Sequence, residues 1–301
     1  MGDVRLTRGH AMLVLAGLAL APVACARGAA AIKVGSKNFT EELVLGEMYA
    51  QLLEHAGYHV ERKLNLGSIQ VAMGALLRGD IDLYPEYTGT ALLVQLHRPP
   101  LHDRRAVYDA VKTAYQNQYR LTWLDPAPMN DTQALATTQS VSRFYGLRSL
   151  SDCAREAPRL RLGAVPEFTA RPDGLPGLQK AYGGFRFAKI VYVDIGLKYK
   201  ALTDGDVDVV IAFGTDGQID AEHLVVLDDD KHFFPPYAVA PVVRDDALAK
   251  FPKTAAALNS VAPLLTDAVM RHLNWRVDGN KEDPADVARD FLTRAGLLGS
   301  G

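Results

Sequence analysis

Two aromatic residues, Tyr87 and Phe213, hold the same place in two copies of one pattern. The first copy runs Ala75-Leu76-Leu77-Arg78-Gly79-Asp80-Ile81-Asp82-Leu83-Tyr84 and continues PEYTGT. The second runs Ala201-Leu202-Thr203-Asp204-Gly205-Asp206-Val207-Asp208-Val209-Val210 and continues IAFGTDG. Each reads as a helix end, a glycine turn, a short strand and a loop that carries a ring. A weaker echo lies upstream, GSKNFT from Gly35 against GAVPEFT from Gly163, with one residue inserted. Repetition of both segments in the same order predicts two related lobes. Rings at equivalent strand ends can face each other across a cleft and clamp a small solute. The bland alternative is that helix-Gly-Asp-strand is common in α/β proteins; the recurring aromatic speaks against it.

Other chemistry is hard to find. There is no strand–GxxxxGK[ST]–helix phosphate loop and no G-x-S-x-G elbow. His55 and His59 have the spacing of a helical metal pair, but Gly57 between them should end the helix. No cofactor is implied. The formal charge is −2 and no basic run stands out, which argues against nucleic acid as a partner. Hydrophobic residues make up 48%, enough for a core and too many for a disordered chain.

The elements that must position the rings alternate. AIKVG reads as a buried strand. Asn38 offers a helix cap with Glu41 three residues on, as in a capping box. Residues 58–66 alternate like a strand, Ile69 to Arg78 is a second helix and Ile81 to Tyr84 a third strand. This order predicts parallel pairing with helical crossovers, so the fold class is α/β with parallel-rich sheets. Ligands of such sheets gather beyond the carboxyl ends of strands, where both aromatic loops lie. Two β-prone runs, Thr132 to Thr138 and Tyr237 to Val243, mark a crossing into a second lobe and a return. The expected organisation is lobe one over 32–130, lobe two over 131–236, then the return crossing and C-terminal helices of lobe one over 237–301. Two crossings make a hinge.

Residues 1–31 read as a signal peptide: a basic start at Arg5 and Arg8, an apolar run from Ala11 to Val23, then small residues. Ordinary cleavage before Ile32 implies a periplasmic protein. Cys25 after Val23-Ala24 leaves a lipid-anchored form open, although Pro22 stands where a lipoprotein box wants Leu. Once Cys25 is removed or lipidated, Cys153 has no intramolecular partner, so the fold rests on its core.

With these runs assembled, the chain resembles the substrate-binding proteins of glycine betaine/carnitine/choline ABC transporters. The runs are GSKNFTEELVLGEM, GDIDLYPEYTGT, EFTARPDGLPGLQKAYG, GDVDVVIAFGTDGQI and DPADVARDFL. The resemblance implies a two-lobed periplasmic-binding fold of the second type, with ABC permease subunits as partners. It implies a quaternary ammonium ligand in an aromatic box, because such a head donates no hydrogen bond and is recognised by ring faces. Carried over position by position, it implies box tyrosines at Tyr87 and Tyr237. Carboxylate contacts are implied at Lys37 and Thr90, with Arg171 as the lobe-two arginine. Two positions depart: the family often has tyrosine where this chain has Gln133 in Asn130-Asp131-Thr132-Gln133, and tyrosine where it has Phe213. Losing one wall of roughly 0.5–2 kcal/mol would weaken a betaine site by around tenfold. Otherwise the ligand wants a hydrogen-bonding amide beside the rings.

Bland alternatives stand beside these roles. Tyr87 and Tyr237 could be packing, Lys37 a solvated loop lysine and Arg171 merely the partner of Asp173, while Gln133 could face solvent. The whole could bind another small solute, such as an amino acid or polyamine, or be a two-lobed α/β enzyme.

Overall fold

The computed structural model describes residues 1–3 and 30–299. Residues 4–29, which hold the expected basic start, apolar run and Cys25, lie outside them. Ten strands form two five-stranded sheets. They are β1 (Ile32–Gly35), β2 (Val60–Lys63), β3 (Leu83–Tyr87), β4 (Leu121–Trp123) and β5 (Gln133–Thr137), followed by β6 (Arg161–Ala164), β7 (Lys189–Tyr192), β8 (Val209–Phe213), β9 (Val225–Val226) and β10 (Val239–Arg244).

The sheet orders are β2-β1-β3-β10-β4 and β7-β6-β8-β5-β9. In each, three parallel strands are followed by a strand that arrives through a crossing and runs antiparallel to its neighbours. The sheets are therefore more mixed than the alternating pattern suggests. A strand delivered from the other lobe enters from the opposite end, so it pairs antiparallel. The architecture is the two-lobed periplasmic-binding fold.

The repeat is real down to single hydrogen bonds. Gly79 and Gly205 both hold positive φ, 78° and 79°, the left-handed turn that glycine takes without a Cβ penalty. Three residues on, Asp82 accepts from the Lys33 amide at 2.8 Å and Asp208 from the Arg161 amide at 2.7 Å. Each carboxylate thus ties a strand to its parallel neighbour, β3 to β1 in lobe one and β8 to β6 in lobe two.

Alternation along β3 puts Leu83 and Tyr87 into one core and Tyr84 into the other. The first of these cores is closed by the Thr40–His55 helix and by the C-terminal helices Asp267–Asp278 and Pro284–Arg294. Cys153 lies buried in the second lobe's core, and burial pushes its thiol up to about 12.

One local expectation fails. The first long helix starts at Thr40 with Phe39 at its cap position, and no side chain caps it. Asn38 and Glu41 form no capping box, because Glu41 turns inward to other partners. In the run Asp228-Asp229-Asp230 the outer two residues are exposed, while Asp229 accepts from the amides of Phe233 and Phe234 at 2.9 and 2.8 Å.

The two crossings run side by side. The Ala127 amide donates to the Val239 carbonyl at 2.8 Å, and the Asp131 amide to the Tyr237 carbonyl at 3.2 Å. The Tyr237 amide returns a bond to Asn130 Oδ1 at 2.7 Å. The Arg104 guanidinium holds the Ala127 and Met129 carbonyls of the first crossing.

Candidate functional site

A cavity of about 240 Å³ opens between the lobes. That is below the roughly 300–1,000 Å³ of drug-sized pockets and suits a small solute. Its walls are segments that follow strand ends: Lys37 to Phe39 after β1, Gly67 to Ile69 after β2, Thr90 after β3, Val165 to Arg171 after β6 and Val193 to Ile195 after β7. This is the ligand position expected of open α/β sheets. All seven residues singled out from the sequence line it: Lys37, Tyr87 and Thr90 from lobe one, Gln133, Arg171 and Phe213 from lobe two, and Tyr237 from the return crossing.

Tyr87 ends β3, buried and fixed. Its hydroxyl donates to Glu41 Oε1 at 2.7 Å, and Val239 of β10 pairs with it. Phe213 ends β8 opposite Gln133 of β5, and directly opposed residues share a face. Phe39 stands between the two rings, 6.1 Å from each centroid and stacked on both. Its extended cap conformation, φ −132° and ψ 160°, swings it out of the helical path and over the cleft. The Tyr237 ring lies against Gly89, where an added Cβ would sit 2.6 Å from it.

Each end ring also faces a resident lysine. Lys37 Nζ lies 4.5 Å from the Tyr87 centroid and Lys198 Nζ 4.1 Å from that of Phe213. Lys37 is buried and ion-paired, 2.8 Å from Glu86 and 3.3 Å from Glu42. Burial favours its neutral amine, but Glu42 and Glu86 outweigh that and raise its pKa. Its charge is already engaged, so it is not a solvated loop lysine. Lys198 pairs with Asp216 at 2.7 Å.

Arg171 grips Asp173 in a fork, with Nε to Oδ1 at 2.8 Å and Nη2 to Oδ2. The Tyr237 hydroxyl donates to the same carboxylate. Arg171 Nη1 makes no hydrogen bond among the described residues, so one edge of the guanidinium stays free beside the cavity. The Gln133 amide is likewise unengaged there and is buried against the cavity, not in bulk solvent. Thr90 is buried at the start of a π-helical turn, Ala91–Gln95, a feature frequent at functional sites.

Behind the lobe-one wall lies a layer of carboxyls. Burial pushes Glu41 and Glu42 up to about 7 each. Burial, then the nearby Glu41 and Asp216, raise Asp131 well above the carboxylate range. Raised this far, these carboxyls carry little negative charge near neutrality and serve mainly as hydrogen-bonding groups behind the rings.

Sequence reasoning missed Phe39, Phe168 and Asp131 as lining residues. The echo of GSKNFT in GAVPEFT could have found the first two, since it aligns Phe39 with Phe168 and both face the cavity.

Residues 30–294 match the family model described as the substrate-binding domain of ABC-type glycine betaine transport systems. A glycine-betaine-binding protein of Pseudomonas aeruginosa is 38% identical over 299 residues, covering 96% of this chain and 94% of its own length. The ergothioneine transport permease/ergothioneine binding protein of Helicobacter pylori is 34% identical over 265 residues. That match covers 88% of this chain but 47% of the relative, so the chain spans about half its length. A solved structure titled as a glycine betaine/carnitine/choline ABC transporter superposes with a TM-score of 0.73 at 31% identity, covering 88% of this chain and 99% of the other.

Proposed function

The chain belongs to the family of substrate-binding domains of ABC-type glycine betaine transport systems, and we propose that it is an extracytoplasmic receptor that clamps a quaternary ammonium osmolyte and presents it to an ABC permease. The observation that carries this reading is the cluster of ring faces from both lobes, Tyr87, Phe39 and Phe213, with Tyr237 on the crossing, around a cavity of solute size. A trimethylammonium head is attracted to such faces by about 0.5–1 kcal/mol each when exposed and about 2 when desolvated.

A ligand carboxylate belongs at the free edge of Arg171, with the Thr90 hydroxyl as a second contact. Lys37 acts mainly from behind: held by Glu86 and Glu42, it supports the Tyr87 wall and contributes only long-range attraction. Gln133 and Phe213 replace expected phenols, which favours a ligand with a polar group that meets the Gln133 amide. The role is binding and delivery without turnover. Export is assigned to the leader over residues 1–31, with cleavage before Ile32 as the main route and lipidation at Cys25 as the other.

Isothermal titration with glycine betaine, proline betaine, carnitine, choline and ectoine tests the reading. Saturable binding of at least one trimethylammonium compound is expected. Silence against all five would sink the ligand assignment.

A further inference from the structure

Two residues that line the cavity between the lobes hold polar atoms for which the fold supplies no partner. Gln133 opens β5 directly opposite Phe213, so its side chain shares the face of that ring. Asp131 stands two residues earlier, on the first crossing. Each is only 6% exposed, and each borders the cavity. Among the described residues neither polar atom of the Gln133 amide forms a hydrogen bond, and neither is sealed from solvent. Asp131 Oδ1 accepts from the Thr215 hydroxyl at 2.6 Å, while Oδ2 has no partner and is likewise unsealed.

Glycine betaine leaves these atoms unmet. Its head donates no hydrogen bond, and its one carboxylate belongs at Arg171 and Thr90. Closure around it takes water from the Gln133 amide and Asp131 Oδ2 and returns nothing, which is unfavourable for any buried polar group. A second amide meets the first most fully, because its edge sets an N–H beside a C=O and exchanges both bonds with the Gln133 side chain. Its carbonyl keeps a further lone pair for Asp131. Burial, then the nearby Glu41 and Asp216, raise the Asp131 carboxyl well above the usual range, so near neutrality Oδ2 carries a proton and donates. An apolar branch would satisfy none of the three atoms.

We propose that the Gln133 and Asp131 side chains form a subsite that reads a carboxamide branch on the ligand, so that the preferred solute is an Nα-trimethylated amino acid with an amide side chain. The branch leaves the carbon next to the quaternary nitrogen, which places it beside the head, where Gln133 adjoins the Phe213 ring. The inference rests on the reading of this cavity as the seat of a quaternary head.

Titration calorimetry tests it with the Nα-trimethyl derivatives of asparagine and glutamine against those of leucine and homoleucine. The second pair matches the first in shape and carries methyl groups where the amide atoms stand. At least one amide compound should bind about tenfold more tightly than its hydrocarbon match. The ratio should fall to one or below in Gln133→Met. It should persist in Asp131→Asn, which keeps an acceptor for Thr215 and a donor beside it, and its loss there overturns the donor role of Asp131. Ratios near one in both wild-type pairs, or a preference that survives Gln133→Met, overturn the subsite, and the wild-type pairs decide even where a variant fails to fold. Glycine betaine and the hydrocarbon compounds report on the head separately. If no trimethylated compound binds, the reading of the head fails, and unmethylated asparagine and glutamine against leucine decide the subsite. Preferential binding of an amide keeps it, and silence removes it.

Discussion

The two lobes share one plan and finish it differently. Both place a ring at the end of a strand, β3 or β8, both set a lysine ammonium against that ring, and both tie that strand to its parallel neighbour, β1 or β6, with an aspartate. In lobe one the lysine is sealed between two carboxylates whose side chains are fully buried, and the ring's hydroxyl is fixed by a third. In lobe two the lysine has one carboxylate, still 18% exposed, and the ring has no hydroxyl to fix. Duplication supplied the geometry, and burial then made one wall rigid and left the other adjustable. A binding protein gains from that asymmetry, because one preformed wall receives the ligand and the other closes on it.

The sharpest way to break the comparison is to remove each lysine. Lys37→Met leaves Glu42 and Glu86 buried without their cation and should lower unfolding stability by about 3–5 kcal/mol. Lys198→Met should cost about 1–2 kcal/mol, since Asp216 keeps a hydroxyl and an amide donor. Equal losses by urea denaturation would abolish the distinction between a sealed and an open wall.

Acidity offers the second probe. Burial raises the Glu42 carboxyl from 4.5 to about 7, so the folded state holds a proton that the unfolded chain gives up more readily. Its contribution is fully present below pH 4.5 and is lost as pH rises through 7, about 3 kcal/mol in all. Melting temperature should therefore fall between pH 5 and pH 8, and Glu42→Gln should flatten that slope. A slope unchanged in the variant would show that Glu42 does not carry the pH sensitivity and would shift it to other raised carboxyls such as Glu41.

On affinity, Tyr87→Ala should weaken glycine betaine by about 30-fold, the value of one desolvated ring contact. Phe213→Ala should cost less, because that ring is only half-buried where Tyr87 is buried, and an exposed ring contact is weaker than a desolvated one. A reversed order would make lobe two the primary wall. The smallest effect sharpens the departures: Gln133→Tyr should tighten glycine betaine by about fivefold, one exposed ring contact. No change would mean that Gln133 is not at the head.

The sequence made the fold legible where geometry demands particular residues. Gly79 and Gly205 are required by their left-handed turns, and Asp82 and Asp208 by the strand amides they receive, so the repeat could be read directly. Five of the seven residues taken from motif and resemblance lie at or beyond the ends of β1, β3, β6 and β8, while Gln133 and Tyr237 reach the cavity at the starts of the antiparallel β5 and β10. What stayed hidden was the layer behind them. Glu41 and Glu42 open a helix, where acidic residues ordinarily face water and favour the helix dipole. Glu41 is enclosed by Tyr87 and by Asn274 of the Asp267–Asp278 helix, more than 200 residues away, and Glu42 by Lys37 and Glu86. Phe39 was absorbed into the apolar spacing of that first helix, because spacing cannot tell a first helical residue from a cap residue that points elsewhere.

The place of β10 also sets an order of assembly. The strands of lobe two lie in one uninterrupted stretch, residues 133–226, whereas β10 fits between β3 and β4 in lobe one and arrives last. A chain that emerges from its N-terminus can therefore pair every strand of the second lobe first. Until residue 244 appears, the facing edges of β3 and β4 have nothing to bind, and an open edge invites pairing with another chain. The lobe that begins first is the one that finishes last.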